Sequence, residues 1–223
     1  MNNTLYHFGD SFGKAENYAN SFGIKIANHY GLKYLDFSDG GLSNDQILQK
    51  MLNNLDLFKR ADVILINFSY LSRFFTLNPN LELTSTAKYF DDNSGRGTDH
   101  YESFYQNRET LLDYFLNYNY EYNIKLFTTI NSLLNGLKKR GVEVYSVLLK
   151  KDSLFMDGKE IKSNEYSFNL PNEVKFNPTY YEWLVDRGWK NEEEGHYTKG
   201  IQDELASEYI KRIDIIRNNK KLI

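Results

Sequence analysis

A chain of 223 residues with no cysteine, 41% hydrophobic and 26% charged side chains has the make-up of one folded domain, and it excludes disulfides, thiolate metal sites and cysteine nucleophiles. A formal net charge of −3 and a pI near 5.9 offer no cationic footprint for phosphate backbones, so nucleic acid is not an expected partner. No apolar run approaches the roughly 20 residues of a bilayer span, so no membrane partner is expected either.

In chain order, Leu5-Tyr6-His7-Phe8 reads as a short buried strand. Ala15, Tyr18, Ala19, Phe22, Ile26 and Ala27 then recur at helical spacing. Residues 33 to 38 read as a second strand closed by Asp39-Gly40-Gly41, after which Ile47, Leu48, Met51, Leu52 and Leu55 mark a second helix. Val63-Ile64-Leu65-Ile66 is an apolar run of the kind found in a strand covered on both faces. Such strand-helix alternation predicts a parallel sheet within an α/β fold.

From about 76 to 105 the chain turns polar and is expected to be an irregular insertion. A long helical pattern follows through Tyr120, Ile124, Phe127, Leu134 and Leu137, stopped by Gly141, and Val142 to Leu149 reads as the fourth strand. Met156-Asp157-Gly158-Lys159 has the form of a hairpin turn. Asn177-Pro178 starts a short helix ending at Gly188, and the last helix begins near Thr198 and buries Ile201, Leu205, Tyr209 and Ile213. There is no internal repeat, so residues 1–223 read as a single domain.

In open parallel sheets, ligands bind where strands end and helices begin. Gly9-Asp10-Ser11 follows the first strand, Gly41 the second and Asn67-Phe68-Ser69 the third, while Glu193-Glu194-Gly195-His196 precedes the last helix. A serine hydroxyl needs a base within hydrogen-bond reach and a third group to orient that base, and Ser11, His196 and Glu193 are the three chemical types required. Each residue also has a plainer reading. Asp10 and Ser11 suit a helix cap, Gly40-Gly41 a tight turn before a helix capped by Ser43 or Asn44, and residues 192–194 a solvated acidic run.

Taken together, these motifs resemble the SGNH hydrolases, the GDSL esterase and lipase superfamily, over nearly the whole chain. Gly9-Asp10-Ser11 resembles the block carrying the nucleophilic serine. Gly41-Leu42-Ser43-Asn44-Asp45 resembles the block whose glycine N–H holds the oxyanion. His196 with the following helix resembles the block of the base, with Glu193 where the family has aspartate and Glu194 as a competitor for that role. The third block usually supplies an asparagine side chain to the oxyanion; here Ser69 stands at the matching position and Asn67 two residues earlier. The resemblance implies a flavodoxin-like three-layer α/β/α sandwich around a parallel sheet and an esterase that needs no cofactor or metal.

The expected substrate is a small-molecule or glycan ester, with O-acetylated carbohydrate favoured by 18 tyrosines and 15 phenylalanines and by the lack of a long apolar lid. Many of those rings would equally fill the core. Asp10, Asn44 and Arg73 are candidate substrate contacts, Arg73 because a guanidinium near the strand ends can hold a carboxylate or phosphate. His100, in the polar insertion, is an alternative base. Asp91, Asp92 and Asp99 beside it lack the fixed spacing of a metal site. Arg217 to Lys221, the one basic cluster, reads as a frayed C-terminus. Two rival functions use the same scaffold: acyl transfer to a sugar hydroxyl, and a binding module that has lost the chemistry. Met1-Asn2-Asn3-Thr4 has no secretory signal as written, and the Asn-, Lys- and Tyr-rich composition suits an A+T-rich genome, so the expected setting is the cytoplasm or a bacterial virus particle.

Overall fold

A computed structural model describes residues 3–10, 21–40, 42–69, 75–77, 83–85, 108–149, 154–156, 159–161, 170–177, 179–187 and 199–220. Four strands, β1 (Thr4–Gly9), β2 (Lys33–Asp36), β3 (Val63–Phe68) and β6 (Glu143–Leu148), form an all-parallel sheet in the order β2-β1-β3-β6. In this order the first crossover runs to one side of β1 and the next to the other, which opens a crevice between the carboxyl ends of β1 and β3. The register sets Gly9 beside Asn67, so the residues leaving both strands emerge together. Backbone pairing of β2 with β1 continues past Asp36, because Phe37 N–H donates to His7 O and Asp39 N–H to Gly9 O. The second strand expected over 33 to 38 is therefore shorter by regular assignment but not by hydrogen bonding.

Alternation along the strands divides the interior in two. Leu5, Val63, Leu65, Tyr145 and Val147 point to one face, where α1 (Phe22–His29), the short α4 (Tyr180–Val185) and the last helix α5 (Lys199–Lys220) cover them. Tyr6, Phe8, Ile64, Ile66, Phe68 and Val144 point to the other, under α2 (Asn44–Asn53) and the 32-residue α3 (Arg108–Lys139). The result is a three-layer α/β/α sandwich. Ile201, Leu205, Tyr209 and Ile213 of α5 are buried, matching the stripe read in the sequence. Tyr145, Tyr180 and Tyr209 lie wholly in the core, so part of the aromatic content is packing.

Helix α1 begins at Phe22, where Ser21 Oγ accepts from the N–H groups of Gly23 and Ile24. Ser21 is thus the cap of this helix; Ser11, Ala15, Tyr18 and Ala19, on which the expected longer helix and its cap depend, lie outside the described residues. At the other end of α3, Gly141 adopts φ +85°, the left-handed conformation that ends a helix, as its position suggested. The expected irregular insertion contains an antiparallel pair, β4 (Phe75–Leu77) with β5 (Leu83–Ser85); alternation in Phe75-Thr76-Leu77 and Leu83-Thr84-Ser85 suits it, and its short length hid it among polar neighbours. β7 (Leu154–Met156) pairs with β8 (Lys159–Ile161) with Met156 opposite Lys159, as a hairpin with two intervening residues requires. α4 starts after the cap Thr179, which accepts from Glu182 N–H.

Arg217 corrects the expectation of a frayed C-terminus. It lies within α5, donates to both carboxylate oxygens of Glu143 at 3.0 and 2.7 Å, and stacks 4.0 Å above the Tyr30 ring. A bidentate guanidinium–carboxylate pair clamped under an aromatic ring is a fixed contact between α5, β6 and α1. Among the described residues no helix is long and apolar enough to cross a membrane.

Candidate functional site

Three of the residues read as site candidates meet at the carboxyl edge of the sheet, in the crevice between β1 and β3. Asp10 leaves β1, Ser69 leaves β3 and Asn44 opens α2; all three are buried. Ser69 Oγ donates to Asp10 Oδ2 at 2.6 Å, a short bond of the kind a carboxylate acceptor gives. Asn44 reads the Ser69 backbone from both sides: its Oδ1 accepts from Ser69 N–H at 2.7 Å and its Nδ2 donates to Ser69 O at 3.2 Å. The side-chain amide thereby stands where a neighbouring strand would stand and satisfies backbone groups that the ladder no longer reaches.

Local chemistry explains why Asn44 is available for this. The N-cap of α2 is Ser43, whose backbone N–H donates to Gln46 Oε1 at 3.0 Å, so the helix start is held by Ser43 and Gln46. Asn44, at the first helical position, is released from capping and turns inward. Asp45 next to it points outward, accepting from Ser43 Oγ and, at 2.7 Å, from the hydroxyl of Tyr122 on α3. Burial raises the Tyr122 phenol pKa, and the Asp45 hydrogen bond raises it further, so that hydroxyl stays a donor at neutral pH. Phe127 meets Phe68 at the carboxyl end of β3, with ring centroids 5.1 Å apart. Residues 108–121 of α3 therefore continue beyond the sheet edge, roughly 20 Å of helix at 1.5 Å per residue.

Below the edge, a second set of polar residues escaped the sequence reading. His7, fully buried on β1, places Nε2 2.9 Å from Asn67 Oδ1 and Nδ1 3.0 Å from the Tyr34 hydroxyl, while Asp36 Oδ1 lies 3.8 Å from Nδ1. Asn67 Nδ2 in turn donates to the Tyr209 hydroxyl on α5, and Ser21 Oγ donates to that of Tyr34. A carbonyl oxygen can only accept, so Nε2 carries the imidazole proton and Nδ1 accepts from Tyr34. Burial holds the His7 pKa below the usual histidine range, outweighing the upward pull of Asp36 and of the Asn67 hydrogen bond. Gly23 is required beside this chain: a Cβ there would stand 2.6 Å from Tyr34 Cε2. No spacing rule links His7, Tyr34, Asn67 and Tyr209; strand pairing unites the first three, and the packing of α5 on the sheet adds Tyr209.

Asn67 therefore faces the α1/α5 layer, where its side-chain amide is engaged with His7 and Tyr209. Ser69 is the residue at the edge, but its hydroxyl proton serves Asp10 and its N–H serves Asn44. Ser11, Gly41, Arg73, Glu193, Glu194, His196 and His100 lie outside the described residues, as do Asp91, Asp92 and Asp99. Among the described residues no group of three His, Asp or Glu side chains forms a metal site.

Helices α1 and α5 run side by side in the same direction. Phe22 N–H of α1 donates to Gln202 Oε1 of α5 at 2.7 Å, Lys25 pairs with Asp203, and Tyr30 OH donates to Asp214 Oδ1 at 2.9 Å. The carboxy end of α1 leads directly into β2 at the amino edge of the sheet, with Lys33 N–H donating to Asn3 O. Both helices thus point their N-termini at the carboxyl edge.

No family model and no curated protein matches the chain. Among solved structures, the crystal structure of the protein YxiM from Bacillus subtilis aligns with 68% of this chain and 34% of its own, at 11% identity and a TM-score of 0.36. The chain spans about a third of that protein's length, and a likeness of this order assigns no role to any residue.

Proposed function

We propose that the chain is a serine esterase that hydrolyses acyl esters, acetyl esters foremost, with a carbohydrate as the alcohol. Ser11 Oγ attacks the ester carbonyl while His196 accepts its proton; the proton then passes to the leaving alcohol, and water, activated by the same imidazole, releases the acid from the acyl-enzyme. Glu193 orients His196, and the N–H groups of Ser11 and Gly41 receive the oxyanion. Ser69 acts in this reading through Asp10, whose carboxylate it holds.

The observation that carries the proposal is the buried clamp of Asp10, Ser69 and Asn44 in the β1/β3 crevice. Ser11 is the next residue after Asp10, and adjacent Cα atoms are about 3.8 Å apart. His196 lies three residues before Lys199, at most about 11 Å of extended chain from the start of α5. Gly41 is three residues before Asn44. Each motif is thus tethered by a short stretch to an element that ends or begins at this edge, which supports their sharing one pocket.

The test is cleavage of 4-nitrophenyl acetate by the wild-type protein and by Ser11→Ala and His196→Ala. Loss of at least a hundredfold in kcat for both is expected. Equal rates in wild type and Ser11→Ala remove Ser11 from the mechanism and leave the scaffold as a binding module. Acetylated sugar formed from an acetyl donor and a glycan, above the hydrolysis background, would turn the esterase into a transferase on the same three residues.

A further inference from the structure

The residue joining the two ends of the proposed site is Gln202. An α-helix leaves its first backbone N–H groups without intrahelical partners. In α1, Ser21 Oγ takes two of them, those of Gly23 and Ile24, and leaves the first, Phe22 N–H. That donor is satisfied from 180 residues away: Gln202 Oε1 accepts it at 2.7 Å, in a contact where Phe22 is fully buried and Gln202 is 4% exposed. The bond joins the start of the helix that follows the Gly9-Asp10-Ser11 segment to the first turn of the helix that follows His196.

We propose that Gln202 is a positioning residue that fixes the spacing between the nucleophile-bearing and base-bearing segments; this rests on the esterase reading. Asp10, the neighbour of Ser11 in the chain, is bonded to Ser69, and Phe22 to Gln202, while α5 begins at Lys199, three residues after His196 and three before Gln202. Lys25–Asp203 sits one residue further along α5, but Asp203 is more than half exposed, so solvent weakens that pair. The buried amide is the better-defined of the two links. Its acceptor oxygen, rather than its bulk, does the positioning. Glutamate keeps an oxygen at the same reach, leucine keeps the bulk alone, and asparagine keeps the amide but falls short by one methylene.

Displacing reacting groups by about 1 Å costs up to roughly a hundredfold in rate. Gln202→Leu and Gln202→Asn are therefore expected to slow kcat for 4-nitrophenyl acetate, and the rate of fluorophosphonate labelling, by about tenfold or more, with KM within about twofold of wild type. Gln202→Glu is expected to restore most of both rates. A purely structural role predicts a different pattern: lower melting temperature for all three variants, with wild-type kcat per folded molecule at 20 °C, and that result overturns the proposal. Should Gln202→Leu fail to fold, the Asn and Glu variants decide it, since equal rates in these two also overturn it. Failure of the underlying reading is separable. Absence of Ser11-dependent labelling in the wild-type protein removes the esterase itself, whereas robust wild-type labelling with unchanged rates in the Gln202 variants removes this inference alone.

Discussion

Ser69 and Asp10 make the sharpest single-residue case. A buried carboxylate is tolerated only where donors replace the water it gave up, and Ser69 Oγ is one such donor at 2.6 Å. Ser69→Ala is expected to destabilise the fold by about 1.5–3 kcal/mol, the range for a hydrogen bond to a charged group, read as a lower urea midpoint. Esterase activity should fall in the same variant even at temperatures where it is fully folded, because Asp10 is covalently next to Ser11. Unchanged stability would show that Asp10 draws its support elsewhere. His7 gives a prediction in pH. Its folded pKa lies below the unfolded value near 6.5, so the unfolded chain binds a proton that the native imidazole refuses. The native state is fully favoured above pH 6.5 and loses stability as pH falls below it. Comparing urea unfolding at pH 7.5 and 5.5, His7→Gln should lose less stability than wild type, since glutamine offers a donor and an acceptor but no titration.

At the scale of elements, what the sequence makes legible is what periodicity can carry. Val63 to Ile66 announces β3 because a strand covered on both faces has no polar side, and the stripe from Phe127 to Leu137 announces α3 because it turns every 3.6 residues. The β4/β5 pair escapes because three residues per strand give alternation no length to show itself. Asp10, Asn44 and Ser69 could be named from the sequence, but their contacts with one another could not. Asp10 reads locally as a helix cap, and nothing in the spacing of Asp10, Asn44 and Ser69 foretells that they meet. Two glycines of the same stretch separate these kinds of information. Gly136 is an exposed interior position of α3 with open space around it, so Gly136→Ala should stabilise by about 0.5–1 kcal/mol. Gly141 has φ +85° and a prospective Cβ only 2.9 Å from Arg60 Cγ, so Gly141→Ala should destabilise by about 1–2 kcal/mol. Chemical denaturation of the two variants checks both signs.

For the whole molecule, the three layers make the two ends of the chain interdependent. α5 supplies Ile201, Leu205, Ala206, Tyr209 and Ile213 to one face of the sheet, and truncating a single buried Leu or Ile to Ala costs about 2–5 kcal/mol. Removing the entire helix exceeds the 5–15 kcal/mol by which a typical domain is stable. A chain ending at residue 198 is therefore expected to show no cooperative thermal transition by circular dichroism, and a sharp transition would mean that α5 is an accessory layer. The same architecture sets the first turns of α1 and α5 at one edge of the sheet, since the two helices lie parallel, with Phe22 bonded to Gln202 and Tyr30 to Asp214.

The most direct measurement is mass spectrometry of the intact protein, and of its peptides, after treatment with a fluorophosphonate. One adduct per chain, mapped to Ser11 and abolished in His196→Ala, is the predicted result. An unmodified protein, or an adduct on any other residue, would contradict the catalytic reading and leave only the α/β/α scaffold.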